Sequence, residues 1–347
     1  MTKTNTPISV IIPVYNGGDK FQRCYLTTIA ALSHEDELII VIDGDRAGTP
    51  LPRETGQIRI YQTPVRGGPA AARNLGATVA KNDILFFVDA DVAIQPDTIA
   101  QVKQLFARNP DISAVIGSYD DEPSEKNFLS QYRNLLHHHV HQKGHPDAAT
   151  FWGACGAIRS DVFRKIGGFD ETLYDQPAIE DIELGYRLSA AGYRIRLEKQ
   201  LQVKHLKHWG IVTLLKTDLF QRAIPWTELI LKQKNLLNDL NTDTGNRFSI
   251  VLTFLILILL PLATIQPQLF IILAGLTTAL IWINIDTYRF FHKKRGFWFT
   301  CRVIPWHWLY FIYSGIGFIG GSLKFIVSTN KKRQVTSVQH QIADPKP

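Results

Sequence analysis

From about Asp239 onward the chain is written for a different solvent. Three apolar segments, about Phe248 to Ile265, Gln268 to Ile285 and Val303 to Val327, each approach the roughly 20 residues that cross a bilayer as a helix. Before that point apolar residues are spread evenly, so the 45% hydrophobic average of the 347-residue chain hides a soluble part joined to a membrane part. The formal charge of +7 fits the same division. Arg289, Lys293, Lys294, Arg295, Arg302, Lys331, Lys332 and Arg333 flank the apolar segments, where anionic head groups would attract them, and nucleic acid is not an expected partner.

The N-terminal MTKTNTPISVIIPVYN lacks the charged and apolar regions of a signal peptide, which predicts a cytoplasmic N-terminal domain and a multi-pass membrane protein. Cys24, Cys155 and Cys301 stand far apart with no paired spacing, as a reducing compartment allows. Topology carries a conflict. Two passes return the basic loop Tyr288 to Arg302 to the cytoplasm, but a third would leave Lys331, Lys332 and Arg333 outside. Either the third segment is re-entrant, weakened by Gly315, Gly317, Gly320 and Gly321, or the rule is broken.

The soluble part alternates strands and helices. Ile8 to Val14, Glu37 to Ile42, Gln57 to Gln62 and Asp83 to Val88 are short apolar, β-branched runs; Asp19 to Leu32 and Arg66 to Ala80 have helical spacing. Continuous apolar strands separated by single helices predict an α/β fold with a parallel sheet covered on both faces. Ligands in such sheets bind beyond the carboxyl ends of the strands, here Pro13 to Gly18, Asp43 to Asp45 and Asp89 to Asp91. Further on, Phe151 to Glu171 reads as a glycine-rich, turn-prone segment, Ile179 to Ala191 as a helix and Arg194 to Leu206 as strand and turn. Trp209 to Leu240 reads as an interfacial helical region interrupted at Pro225-Trp226.

Asp89 and Asp91, flanking Ala90 in FFVDADV, supply the hard oxygen donors that suit Mg²⁺ or Mn²⁺ holding phosphates, although a solvated turn would use the same residues. GGPAAARNLG (Gly67 to Gly76) opens a helix with small residues, either to meet an anion or to pack closely. Glu180 and Asp181 open another helix, where acids oppose the macrodipole or serve as a base. His137 to His145 (HHHVHQKGH) places His137 and His141 on one face, but without a nearby carboxylate or cysteine it reads as a solvated or acceptor-facing helix, not a zinc site.

ISVIIPVYN, VIDGD, GGPAAARNLGA, FVDADV, GACGAIRSDVFRKIGGFDE and IEDIELGYRL stand in the order of family 2 glycosyltransferases with the GT-A fold, and the resemblance runs from about Ile8 to His205. It implies a Rossmann-like, mostly parallel sheet that binds a nucleotide sugar, most simply a UDP-sugar. By this resemblance Pro13 and Tyr15 form the first nucleotide-contacting turn, Asp43 reads the base, and Arg73 and Asn74 lie beside the nucleotide. Asp89, Ala90 and Asp91 grip the diphosphate through Mg²⁺ or Mn²⁺, and His205 resembles a histidine that in some members completes the metal or diphosphate site. Gly153 to Gly156 line the donor sugar and acceptor, and Asp181 is the general base of an inverting transfer, with Glu180 and Glu183 as rivals. The Q-x-x-R-W signature of processive synthases is absent; HLKHW (His205 to Trp209) stands near its place, which favours transfer of a single sugar. The turn DGDRAGTP departs from the family's acidic, Ser-rich pattern.

The expected organisation is a catalytic domain at 1–205, an interfacial helical linker at 206–247, a membrane anchor at 248–330 and a polar tail at 331–347. A catalytic site held at a bilayer points to a lipid or lipid-linked acceptor. A nucleotidyltransferase would want an arginine in the first loop, and PVYNGGDK has none. An inactive membrane scaffold would have no need of Asp43, Asp89, Asp91 and Asp181 together.

Overall fold

In the computed structural model, residues 6–44, 50–174, 176–233 and 240–343 are described, and helical side chains from position 330 onward are not. Asp45 and most of the DGDRAGTP turn therefore lie outside the described residues, as do the side chains of Lys331, Lys332 and Arg333.

The first half of the sheet follows from the apolar runs. Strands β1 (Ile8–Val14), β2 (Glu37–Ile42), β3 (Ile58–Gln62) and β4 (Ile84–Val88) pair in parallel in the order β3-β2-β1-β4. Every residue of β2 and β4 is buried, because both sheet faces are covered. Alternation along β4 sends Phe86 and Val88 into one apolar cluster and Leu85 and Phe87 into the other. Helix α1 (Gly18–Ala31) contributes Phe21 and Cys24 to the first cluster, and α2 (Gly68–Val79) contributes Ala70, Ala72 and Ala77 to the second.

The chain continues through β5 (Val92–Ala93), α3 (Thr98–Arg108), β6 (Ala114–Tyr119), α4 (Phe128–Lys143), β7 (Asp147–Ala148), β8 (Cys155–Arg159), α5 (Ser160–Lys165), α6 (Glu180–Ala190) and β9 (Ile195–His205). The sheet extends from β4 through β8, β6, β9 and β5, with β7 beside β9. Strand β8 runs antiparallel to both β4 and β6, so the sheet is mixed. Cys155–Arg159, expected in a turn-prone segment, is thus a central strand. Its glycine serves close packing: a Cβ on Gly156 would stand 2.4 Å from the Trp152 carbonyl oxygen and 2.6 Å from Phe151 Cζ.

Helix α4 corrects another expectation, since it is not solvated. His138 Nδ1 lies 2.7 Å from the Tyr119 carbonyl and His141 Nδ1 2.9 Å from that of Gly117, so these histidines satisfy the backbone of β6. The His137 ring stacks on His141 at 4.0 Å and meets Trp152 at 4.8 Å.

Residues 1–210 with 239–241 form one unit, and 211–238 with 242–347 a second. In the second unit, α7 (Ile211–Lys216), a π-helical turn (Thr217–Ala223) and α8 (Ile224–Gln233) are continuous, so Pro225 does not interrupt the helix. At the second position of α8 its missing N–H falls where the register has just shifted.

Beyond these lie α9 (Thr244–Ala263), α10 (Leu269–Ile283), α11 (Ile285–Arg295) and α12 (Phe297–Ala343). Thr244–Ala263 and Phe297–Thr329 are long and apolar enough to cross a membrane, and α10 with α11 pass the same test only as a pair bent by 61°. The break therefore falls in the second apolar element; the third, for which the sequence allows a re-entrant path weakened by its glycines as one of two alternatives, is continuous helix. Those glycines admit neighbours instead. A Cβ on Gly315 would stand 2.3 Å from Phe254, on Gly317 2.4 Å from Ala223 and on Gly321 2.6 Å from Thr227, which is small-residue helix packing.

Candidate active site

Two backbone ties converge just past the end of β4. The Asp89 N–H donates to Ala154 O at 3.4 Å, which ties the Asp-x-Asp turn to the loop before β8. Val92 pairs with His205 across β5 and β9, and Leu206 N–H donates to Asp91 O at 2.8 Å. The backbone thus brings His205 beside Asp91, with Nε2 3.6 Å from Asp91 Oδ2.

Arg73 organises the centre. It projects from α2, is 3% exposed, and donates to Asp89 Oδ1 at 2.7 Å and to Glu180 Oε1 at 2.9 Å. Gly153 makes room for it, because a Cβ there would stand 2.9 Å from Arg73 Cζ. Two carboxylates hold the guanidinium firmly protonated despite its burial. Asp89 is nonetheless pushed upward by burial, with the neighbouring Asp91 adding to the effect against the pull of Arg73. Burial acts upward on Asp91 too, but the His205 imidazole, Lys207 and Lys20 outweigh it and hold that carboxyl at about 2.

The three acids that open α6 divide their roles. Glu180 gives one oxygen to Arg73 and accepts from Ala178 N–H with the other at 3.0 Å. Glu183 is paired with Arg187 at 2.7 Å. Asp181 has no cation partner among the described residues; its Oδ2 accepts from Gly153 N–H at 3.0 Å and its Oδ1 from Ile182 N–H at 2.8 Å. Burial, then the adjacent Glu180 charge, raise its carboxyl to about 6. Glu180 is therefore an ion-pair partner of Arg73 with both oxygens engaged, while Asp181 keeps a carboxylate with a basicity suited to proton removal.

The other expected positions separate. Asp43, 4% exposed, accepts from Gly67 N–H at 2.7 Å and Gly68 N–H at 3.0 Å, so it caps the entrance of α2. Tyr15 is exposed, with the Arg66 guanidinium 4.0 Å from its ring centroid. Pro13 is held within β1 opposite Val41, and Ala90 packs at the edge of the first apolar cluster. Asn74 departs most from expectation: its Nδ2 donates to Phe169 O at 2.9 Å and its Oδ1 accepts from Phe169 N–H at 2.9 Å, which staples the Gly168 turn.

Among the described residues no group of three or more His, Cys, Asp and Glu side chains is gathered for a metal ion. Asp89 is turned to Arg73, which leaves Asp91 and His205 as a converging pair. Carboxylate oxygen and imidazole nitrogen are both donors that Mn²⁺ accepts, and two protein ligands leave positions for phosphate oxygens and water, so the residues fit a divalent cation. One residue at this corner carried no signal of its own in the sequence: Asn134, whose Oδ1 lies 2.7 Å from His205 Nδ1.

Residues 9–167 match the family model described as glycosyl transferase family 2, a span that includes Asp43, Arg73, Asp89, Asp91 and Gly153 and ends before Asp181 and His205. A pre-mycofactocin glycosyltransferase of Mycobacterium tuberculosis is 29% identical over 209 residues, covering 57% of this chain and 42% of the relative. A poly-beta-1,6-N-acetyl-D-glucosamine synthase of Staphylococcus aureus is 23% identical over 236 residues, covering 64% and 54%. The matched stretch thus spans about half the length of these relatives or less. Among solved structures, a mannosyltransferase from Pyrobaculum calidifontis in complex with GDP-Man and Mn²⁺ superposes with a TM-score of 0.52 at 16% identity, covering 90% of this chain and 86% of that one. This is the GT-A fold.

Proposed function

Because residues 9–167 carry a glycosyltransferase family 2 domain, we propose that the chain moves one sugar from a nucleotide donor to an acceptor with inversion, using a divalent cation. The observation that carries this reading is the division of the α6 acids. Among the described residues Asp181 has no ion-pair partner while Glu180 and Glu183 are paired, and burial with the Glu180 charge outweighs the pull of Arg73 and raises its carboxyl to about 6. A base of that strength is ionised at neutral pH yet still accepts a proton readily.

Asp181 takes the proton of the acceptor hydroxyl as that oxygen attacks the anomeric carbon and the bond to the diphosphate breaks on the opposite face. Its hydrogen bonds to Gly153 and Ile182 aim the carboxylate, so little reorganisation is needed during transfer. Arg73, held between Asp89 and Glu180, places a fixed positive charge beside the diphosphate corner. Asp91 and His205 would hold Mg²⁺ or Mn²⁺, which when bound compensates charge on the leaving diphosphate.

Asp43 retains acceptor capacity beyond its hydrogen bonds from Gly67, Gly68 and Thr63, because a carboxylate offers about four lone-pair sites. It suits the N–H of a uracil ring, and a UDP-sugar is the donor proposed. Tyr15 and Arg66 form the exposed rim beside it. Helices of membrane-crossing length in the second unit support a lipid or lipid-linked acceptor, with the catalytic domain cytoplasmic. Transfer of a single sugar is supported by Trp209 of HLKHW, which is 2% exposed and so is not offered as a platform for a growing chain.

The test is to incubate membranes containing the full chain with labelled nucleotide sugars and Mn²⁺, trace label into lipid and water-soluble products, and determine the product anomer. Asp91-dependent transfer with inversion is expected; no such turnover of any nucleotide sugar would sink the enzymatic reading.

A further inference from the structure

Asn134 lies on α4, outside every motif that the transferase reading uses. Its Oδ1 stands 2.7 Å from His205 Nδ1, and the two residues are 1% and 5% exposed. A carbonyl oxygen only accepts, so Nδ1 carries the hydrogen of this bond, and in the neutral imidazole Nε2 then presents its lone pair. That lone pair faces Asp91 Oδ2 at 3.6 Å. Two electron-rich atoms turned toward each other are what a cation between them would resolve.

The arrangement is built by more than one contact. Tyr119 stacks on the His205 ring at 4.3 Å with 10° between planes, which holds the imidazole from its face. Ser130 and Asn134 lie near one face of α4, and Asn127 stands at its N-cap. Asn127 Nδ2 donates to Trp209 O at 2.8 Å, and Ser130 Oγ accepts from Trp209 N–H at 2.7 Å. A polar ladder on α4 therefore seizes the chain leaving β9, and its last rung is the edge of the imidazole. Asn134 Nδ2, buried, makes no hydrogen bond among the described residues, so its side-chain amide is kept for His205 alone.

We propose that Asn134 is a positioning residue of the metal corner: it selects the Nδ1–H tautomer of His205, so that Nε2 binds a divalent cation together with Asp91. This rests on the reading that Asp91 and His205 hold that cation. An outer partner of a metal-binding histidine fixes both its tautomer and its ring orientation, and losing one typically weakens metal binding about 10- to 100-fold.

The experiment uses the full chain in detergent at pH 8, above the ordinary imidazole range of about 6.5. Mn²⁺ is titrated without donor or acceptor and free Mn²⁺ is followed by electron paramagnetic resonance for wild type, Asn134→Leu, Asn134→Asp and His205→Ala. The tautomer of His205 is read in the metal-free wild type by nitrogen NMR of labelled histidine. Asn134→Leu should weaken Mn²⁺ about 10- to 100-fold, and Asn134→Asp, which keeps an acceptor, should restore wild-type affinity. The wild type should show Nδ1–H. Loss of affinity in His205→Ala with none in Asn134→Leu would overturn the positioning role, as would an Nε2–H tautomer in the wild type, a measurement that stands whether or not the leucine variant folds. Unchanged affinity in His205→Ala would remove the metal reading itself, and the role of Asn134 with it.

Discussion

Arg73 Nη1 lies 2.9 Å from Glu180 Oε1, joining positions 107 residues apart in the chain. Since Nη2 holds Asp89 at 2.7 Å, a single buried guanidinium links the Asp-x-Asp turn to the acidic entrance of α6. Arg73→Met would leave the buried Glu180 and the partly exposed Asp89 without a cation, and breaking a buried pair such as Arg73 with Glu180 costs about 3–5 kcal/mol. Arg73→Lys should fare little better, because one ammonium cannot reproduce a two-armed bridge. Denaturant unfolding of the first unit's signal checks the loss, and equal stability of Arg73→Met and wild type would remove the bridge from the account.

Catalysis should show an acid limb near pH 6. Asp181 must be ionised to accept the acceptor proton, and its carboxyl stands at about 6, so kcat/KM should fall as pH drops through that value. Asp181→Asn should lower turnover about 10²- to 10⁴-fold and abolish that limb, while donor affinity is retained. The pH profile of both proteins with a saturating donor makes the comparison.

Stability should run the other way at the same residue. The carboxyl is raised in the folded state, so its contribution to stability is full below the unfolded value of about 3.9 and is lost as pH rises through about 6. Asp181→Asn should therefore melt higher than wild type at pH 7.5, with the advantage shrinking toward pH 4. Thermal melts at the two pH values decide this, and a destabilised variant at pH 7.5 would contradict it.

Glycines on α12 should rank by the space around them. Gly315→Ala, Gly317→Ala and Gly321→Ala meet Phe254, Ala223 and Thr227 at 2.3, 2.4 and 2.6 Å, whereas Gly320→Ala meets Ile224 at 3.6 Å. The first three should each destabilise the second unit by about 1–3 kcal/mol through overpacking, and Gly320→Ala should be near neutral. Thermal stability of the purified chain in detergent tests the ranking.

Asp43→Ala should combine two losses. It removes the carboxylate that accepts from Gly67 and Gly68, a capping loss of about 0.5–2 kcal/mol, and under the proposed donor reading it also weakens UDP. Calorimetric titration of UDP alongside a melt separates the effects; a lower melting temperature with unchanged UDP affinity would confine Asp43 to its structural role.

Much of the first unit was legible because its signals are local. Ile8–Val14, Glu37–Ile42 and Ile84–Val88 announce themselves as buried strands by composition alone, and FFVDADV carries its two carboxylates at a strand end, where the sheet class puts ligands. Cys155–Arg159 was hidden because its glycine signals a turn locally but serves a close backbone approach in three dimensions. The run from His137 to His141 misled for a similar reason: polar letters normally mean solvent, yet His138 and His141 satisfy the carbonyls of Tyr119 and Gly117. In the second unit, Gly315 and Gly317, which fit a weakened re-entrant helix as one of two alternatives, are places where other helices touch it.

The alternation of strand and helix, the carboxylates at the strand ends and the change to apolar helices after about Asp239 are legible in the chain alone, since each depends on neighbours within a few residues. Folding settles which acids are ion-paired: Glu180 with Arg73, Glu183 with Arg187, and Asp181 with no ion-pair partner among the described residues. It also decided that His205 faces Asp91 and is held from behind by Asn134. Those pairings depend on burial and on distances between residues far apart in the chain. The charge and proton affinity of a carboxylate follow from such surroundings, which spacing along the chain does not encode.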